Sequence, residues 1–176
     1  FYSTSTTLPK RVVIHKRTRF TEDEITGFVS ALKSKGVEEL ELLEINYEDS
    51  VRFVAMSPLT GNVDSFPMRR GTCFPINDHA AYLYTHGITS SVRNDNYKYF
   101  KGGTNIPIPI KIKRHYGSGA LTQIASEILG LTKMNWNSFD LYSKLPCTLQ
   151  SSAEIARIGW MLAHFEGRIY DYRFFM

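Results

Sequence analysis

The sequence predicts an α/β fold, a mixed sheet with helices packed against it. Three observations lead there: short β-branched and aromatic runs over the first two-thirds, a capped amphipathic helix directly after the first run, and apolar stripes at helical spacing in the last third. Arg11-Val12-Val13-Ile14 is expected to form a buried strand that leads into a basic turn from His15 to Arg19. Thr21 offers a side-chain oxygen to the amides of a helix start and Glu24 can reach back, a capping box. Ile25, Phe28, Val29 and Leu32 then fall on one helix face, and Gly36 can take the left-handed conformation that ends the helix.

Residues 37–47 and 51–56 read as two strands, separated by a turn in which Glu48 and Asp49 meet water. After Ser57-Pro58 and Gly61-Asn62, further extended segments are expected at 72–76 and 81–85. Residues 93–103 are polar, aromatic and glycine-ended, and predict a surface loop. Residues 106–112 alternate Ile with Pro or Lys, which suits an edge strand because proline donates no ladder hydrogen bond. Leu121, Ile124, Ala125, Ile128 and Leu129 make one helical stripe closed by Gly130. Ile155, Ile158, Gly159 and Leu162 make another, opened by Ser151 with Glu154 as its capping box.

A chain of 176 residues can bury one substantial core, so residues 1–176 are read as one domain or a large piece of one. It opens on Phe1 followed by a Ser/Thr-rich stretch, and residues 1–8 are read as a boundary or linker. Hydrophobic residues at 43% with charged residues at 22% are too mixed for disorder. No apolar run approaches the roughly 20 residues of a membrane-spanning helix, so no membrane partner is expected. No secretory or transit segment is visible, Cys73 and Cys147 lack metal-ligand spacing, and the expectation is a cytoplasmic protein with reduced thiols.

The net charge of +4 is a mild preference for polyanions, and its distribution says more. Lys10, Arg11, Lys16, Arg17 and Arg19 fall within ten residues; Lys111, Lys113 and Arg114 form a second cluster. Phosphodiester cleavage by two divalent ions about 4 Å apart needs clustered carboxylates, commonly at strand ends. The first strand here ends instead in His15, Lys16 and Arg17, and cations repel such ions. Either the turn is simply solvated or it binds phosphates, where Lys and Arg set affinity without reading bases.

Other chemistries have weaker signals. The five histidines, at 15, 79, 86, 115 and 164, show no zinc-ligand spacing, and Asp78-His79 lacks a nearby Ser or Cys nucleophile. No P-loop or dinucleotide-binding glycine pattern is present. Gly117-Ser118-Gly119 precedes a helix and could cradle a phosphate on backbone amides, although a plain loop is the commoner use. Lys133-Met134-Asn135-Trp136-Asn137 joins a cation, amides and an aromatic after a helix end; Trp136 packed in a core is its plain reading.

Taken in order, these segments resemble prokaryotic Argonautes. Arg11-Val-Val-Ile-His-Lys-Arg-Thr-Arg-Phe20 with its acidic helix start looks like the PIWI strand that carries a His-Arg-Asp-Gly type sequence in active members. Leu131-Thr-Lys-Met-Asn-Trp-Asn137 is the most distinctive match, and Leu145-Pro-Cys-Thr148 leading to Ala153 and Ala156 resembles the segment supplying the last catalytic ligand. Arg70-Gly71-Thr72, Tyr82-Leu83-Tyr84-Thr85 and Gly103-Thr104 also fit, so the similarity runs from Leu8 to Met176.

The resemblance implies the C-terminal part of an RNase H-like PIWI fold, with two of the four catalytic ligand positions upstream of this chain. The other two fall on Arg17 and Ala153, which cannot bind a divalent ion, so a slicing-inactive member with no catalytic metal is expected. A one-residue slip brings only Glu154 as a carboxylate. The implied partners are a guide RNA or DNA, a complementary target, the MID domain of the same protein and an effector subunit in defence against plasmids or phages. The implied strand contacts are Lys16, Arg17, Arg19, Lys133, Asn135, Thr148 and Gln150, followed by His15, Lys111, Lys113 and Arg114. The terminal carboxylate of Met176 would join a Mg²⁺ or Mn²⁺ ion at the guide 5′ phosphate. The rival reading is an active guide-directed nuclease whose carboxylates come from outside this chain.

Overall fold

Arg11–Lys16 forms strand β1, and the chain returns through helix α1 (Glu22–Lys33) to strand β2 (Glu39–Tyr47), which lies parallel to β1. The computed structural model describes residues 9–63, 67–94, 97–99, 106–135 and 140–161. Both halves of the Thr21–Glu24 capping box are formed, and Phe20 and Ile25 on either side of it pack in one apolar cluster. Gly36 adopts φ +82°, and the amide of Val37 returns to the carbonyl of Leu32 at 3.1 Å, which closes the helix as expected.

The remaining strands are β3 (Cys73–Asn77), β4 (Ala80–Leu83), β5 (Thr89–Asn94), β6 (Tyr97–Tyr99) and β7 (Ile110–Tyr116). Five of them form one mixed sheet in the order β1-β2-β7-β4-β3, while β5 and β6 pair separately. Helices α2 (Leu121–Leu131) and α3 (Cys147–Met161) follow β7. Each sheet face has its own core. On one face α1 covers Leu40 and Leu42. On the other, Leu43, Ile45, Leu83, Ile110 and Ile112 pack with Ile124, Ala125 and Ile128 of α2 and Leu149 of α3. Among the described residues no helix is long and apolar enough to cross a membrane.

Several expectations are corrected. Among the described residues β1 is an edge strand, paired with β2 alone, and its residues are half-buried. Residues 51–56 form no strand apart from a single bridge at Met56; Phe53 instead stacks on Phe74 with ring centroids 4.2 Å apart. The proline-rich strand is not an edge but the centre of the sheet. Pro107 and Pro109 precede β7, so neither removes a ladder bond, and Pro109 uses its carbonyl to accept from Glu48. The loop expected at 93–103 includes β6 and the end of β5.

Helix limits shift as well. Gly130 lies inside the last turn of α2, whose cap is Thr132. α3 begins at Cys147, directly after Pro146, so Ser151 is a buried interior residue rather than an N-cap and Glu154 pairs with Arg157 instead. Ile155 remains exposed at 36%, and the face of α3 that enters the core is Cys147, Leu149 and Ser151.

Candidate nucleic-acid interface

The tip of β1 carries the basic turn, and register places its neighbours. Lys16 lies opposite Glu44 of β2, which in turn lies opposite Lys113 of β7; Asn46 lies opposite Lys111. The β2–β7 register slips so that Leu42 faces Tyr116 and Leu43 faces Arg114. His115, left between them, puts Nε2 2.7 Å from Glu44 and packs its ring against Phe20. Thus a polar shelf forms on the α1 side of the sheet beyond the apolar cluster.

Within this shelf the cations differ. The Lys16 ammonium donates to Glu24 and to the carbonyl of Arg19, and sits 5.2 Å from the Phe20 ring centroid. That pair, together with the backbone bond of Thr21, holds the Glu24 carboxyl below its ordinary pKa. Arg17 is exposed and has neutral partners: Nε donates to Asn46 Oδ1 at 3.3 Å, and the guanidinium lies 5.2 Å from the Tyr47 ring. Arg19 and Lys113 are exposed, and Lys111 lies half-buried 6.0 Å from the Tyr82 ring.

A second group gathers on the opposite side of β1. His15 Nδ1 and Thr148 Oγ1, at 2.9 Å, join the end of β1 to the first turn of α3. Burial lowers the His15 pKa to about 4, opposed only weakly by Glu127, so this imidazole is neutral near pH 7 and adds no positive charge. Asn135 Nδ2 donates to Gln150 Oε1 at 2.8 Å, which joins the segment after α2 to the same helix. Lys133 and Thr148 are exposed on these two segments. Sequence reasoning therefore placed in one list residues that the fold divides into a cationic shelf and a largely neutral, hydrogen-bonding edge.

Arg114 belongs to neither group. Its side chain is 8% exposed, it donates to the carbonyls of Gly119 and Asp78, and it lies 3.9 Å from Glu41. The glycine loop is likewise already filled. Gly119 gives its amide to Glu41 at 2.6 Å, so an internal carboxylate occupies the place where a phosphate was considered. Asp78 and His79 form the exposed turn between β3 and β4, where the His79 amide donates to Asn77 Oδ1.

At the two positions read as former metal ligands, Arg17 sits at the exposed β1 tip and Ala153 on an exposed part of α3. Glu154, the carboxylate next to Ala153 in sequence, is exposed and engaged by Arg157 at 2.9 Å. Among the described residues, no three His, Cys, Asp or Glu side chains converge as a metal site. Cys73 and Cys147 are free thiols, both with pKa raised by burial. Met176, Gly103, Thr104, Trp136, Asn137 and Leu162 lie outside the described residues.

Sequence reasoning missed the brace behind this edge. Arg70 donates to the carbonyl of Leu129 at 3.0 Å and to the hydroxyl of buried Thr132, and stacks 4.8 Å from the Tyr142 ring. Tyr142 donates to the carbonyl of Gly87 at 3.0 Å, and Thr85 to that of Lys144 at 2.6 Å. The one available signal was Arg70-Gly71-Thr72, which periodicity does not single out because its partners are 59 and 62 residues away.

No family model matches the sequence. The "Protein argonaute" of Aquifex aeolicus (strain VF5) is 28% identical over 148 residues, which is 84% of this chain and 18% of that protein. The crystal structure of Aa-Ago with externally bound siRNA has a TM-score of 0.61 at 25% identity, covering 88% of this chain and 18% of that one. Clostridium butyricum Argonaute, bound to a guide DNA and a 19-mer target DNA, has a TM-score of 0.67 at 21% identity over 88% of this chain and 18% of its own; at that identity the likeness concerns the fold alone. The chain is thus homologous to a prokaryotic Argonaute over a C-terminal-like portion and spans 18% of that relative's length. Its mixed sheet with flanking helices matches the corresponding portion of the Argonaute structures.

Proposed function

We propose, with that homology as the premise, that this chain is the C-terminal part of the PIWI domain of a slicing-inactive prokaryotic Argonaute. It holds a guide strand and lets base pairing select the target, while its own side chains grip the sugar-phosphate backbone. The observation that carries this reading is Arg17. Where the resemblance calls for a carboxylate, an exposed guanidinium is steadied over Tyr47 by neutral Asn46, ready for a phosphate oxygen and hostile to a divalent cation. Ala153, at the other such position, offers no ligand atom.

Lys16, Arg19, Lys111 and Lys113 extend the cationic shelf, whereas His15, Thr148, Asn135 and Gln150 act as hydrogen-bonding groups that set register on the strand. The terminal carboxylate of Met176 would help hold a Mg²⁺ or Mn²⁺ ion at the guide 5′ phosphate, with the MID domain supplying the rest of that pocket. We place the protein in the cytoplasm, in defence against plasmids or phages, with a separate or fused effector. Incubating the full-length protein with guide, matched target and Mn²⁺ tests the reading: target is retained uncut, and accumulating cleavage product means an active nuclease. Co-purification with the product of a neighbouring gene tests the effector.

A further inference from the structure

Two segments of the hydrogen-bonding edge, the turn after α2 with Lys133 and Asn135 and the start of α3 with Thr148 and Gln150, come from distant parts of the sequence. One half-buried group touches the supports of both. The Arg70 guanidinium caps the end of α2 through the Leu129 carbonyl and the Thr132 hydroxyl, and Thr132 itself donates to Leu129 at 2.6 Å. A cation at the carbonyl end of a helix is favourable, and this one fixes where the helix stops. The next residues, Lys133 to Asn135, leave in the direction that stop allows. On its other side Arg70 stacks on Tyr142, and the amide of Ser143 returns to the Thr132 carbonyl at 2.7 Å. Three residues further on comes Pro146, directly before α3 begins at Cys147.

We infer that Arg70 is a positioning residue for strand binding: it holds the α2 end and the approach to α3 in one register, so that Asn135 and Gln150 present a joined amide pair to the nucleic acid. This rests on the reading of these residues as strand contacts. The guanidinium suits the task because it is planar: Nη2 donates to both the Leu129 carbonyl and the Thr132 hydroxyl while the group lies over the Tyr142 ring. Lysine keeps the charge but loses the planar contact with the ring. Among the described residues no carboxylate pairs with Arg70, so its role is carried by the Leu129, Thr132 and Tyr142 contacts.

The experiment uses the full-length protein loaded with a 5′-phosphorylated guide and measures dissociation of a labelled complementary target for Arg70→Lys, Thr132→Val, Asn135→Ala and the double variant Arg70→Lys/Asn135→Ala. Arg70→Lys should speed target release about tenfold, one decade of the equilibrium scale. Thr132→Val, which removes the hydroxyl that accepts from Arg70 and donates to Leu129, should speed it a few-fold, and the double variant should release no faster than the worse single. That non-additivity is the readout a merely structural residue would not give. Should Arg70→Lys fail to fold, Thr132→Val combined with Asn135→Ala provides the same coupling test. Parent-like release in Arg70→Lys or Thr132→Val alongside a clear defect in Asn135→Ala overturns the inference and leaves the strand-contact reading intact. Fully additive effects overturn it too. Parent-like release in Asn135→Ala, Lys133→Ala and Arg17→Ala together sinks the strand-contact reading itself.

Discussion

Replacing Arg17 by alanine isolates one unit of the cationic shelf, and its effect can be worked from its surroundings. Its recorded partners, Asn46 and Tyr47, are neutral, so almost a full positive charge is available to a phosphate. Each phosphate neutralised contributes about 0.9 to the slope of log affinity against log salt on a duplex, and about 0.7 on a single strand. Arg17→Ala should therefore lower that slope by about 0.7–0.9. Between about 50 and 200 mM salt, the parent then loses about threefold more affinity than the variant, and the two binding curves converge at high salt. Lys16→Ala should flatten the slope less, because Glu24 already compensates its ammonium. Charge reversal at both Lys16 and Arg17 should give the weakest and flattest binding. Fluorescence anisotropy of a labelled target on the guide-loaded protein measures these slopes directly. An Arg17→Ala slope equal to the parent's refutes the assignment of this residue to a phosphate.

Two further predictions concern the scaffold. His15 has a folded pKa of about 4 against 6.5 unfolded, so on acidification the unfolded chain takes up the proton first. Stability is fully present above about pH 6.5 and falls toward pH 4, by about 1–2 kcal/mol after discounting about 3 for partial exposure of the ring. Denaturant unfolding from pH 7 to 4 should show His15→Gln losing less than the parent, and parallel curves would contradict the assignment. At Gly117, φ is +116° and an added Cβ would lie 2.2 Å from Glu41 Oε2. Gly117→Ala should cost about 1–3 kcal/mol, seen as a lower thermal midpoint, and an unchanged midpoint would show that the loop can relax around the carboxylate.

What the sequence made legible was local. The Thr21 and Glu24 side chains fix the start of α1 and the positive φ of Gly36 lets the chain turn at its end, each through contacts a few residues apart, so reading them in order suffices. The basic tip of β1 was equally plain, since one strand end carries all of it. Pairing was not legible. Prolines at 107 and 109 point to an edge strand only if they lie within the strand, and nothing local says that β7 begins after them and runs up the middle of the sheet. Arg114 looked like its cationic neighbours Lys111 and Lys113, but alternation along β7 turns it toward Glu41 while Lys113 faces water. His15 reads as a cation in sequence and is neutral in the fold because α3, more than a hundred residues away, packs against it. Arg70 was invisible for the same reason.

The two borders of the five-stranded sheet are unequal. On β3, Pro75 interrupts the outer row of backbone donors, and Phe53 lies across the neighbouring Phe74 ring. On β1, Val12, Val13 and Ile14 run without proline, and among the described residues no strand lies beyond them. An open border of that kind is a template for other chains, so residues 1–176 produced by themselves should clump through β1 at working concentrations.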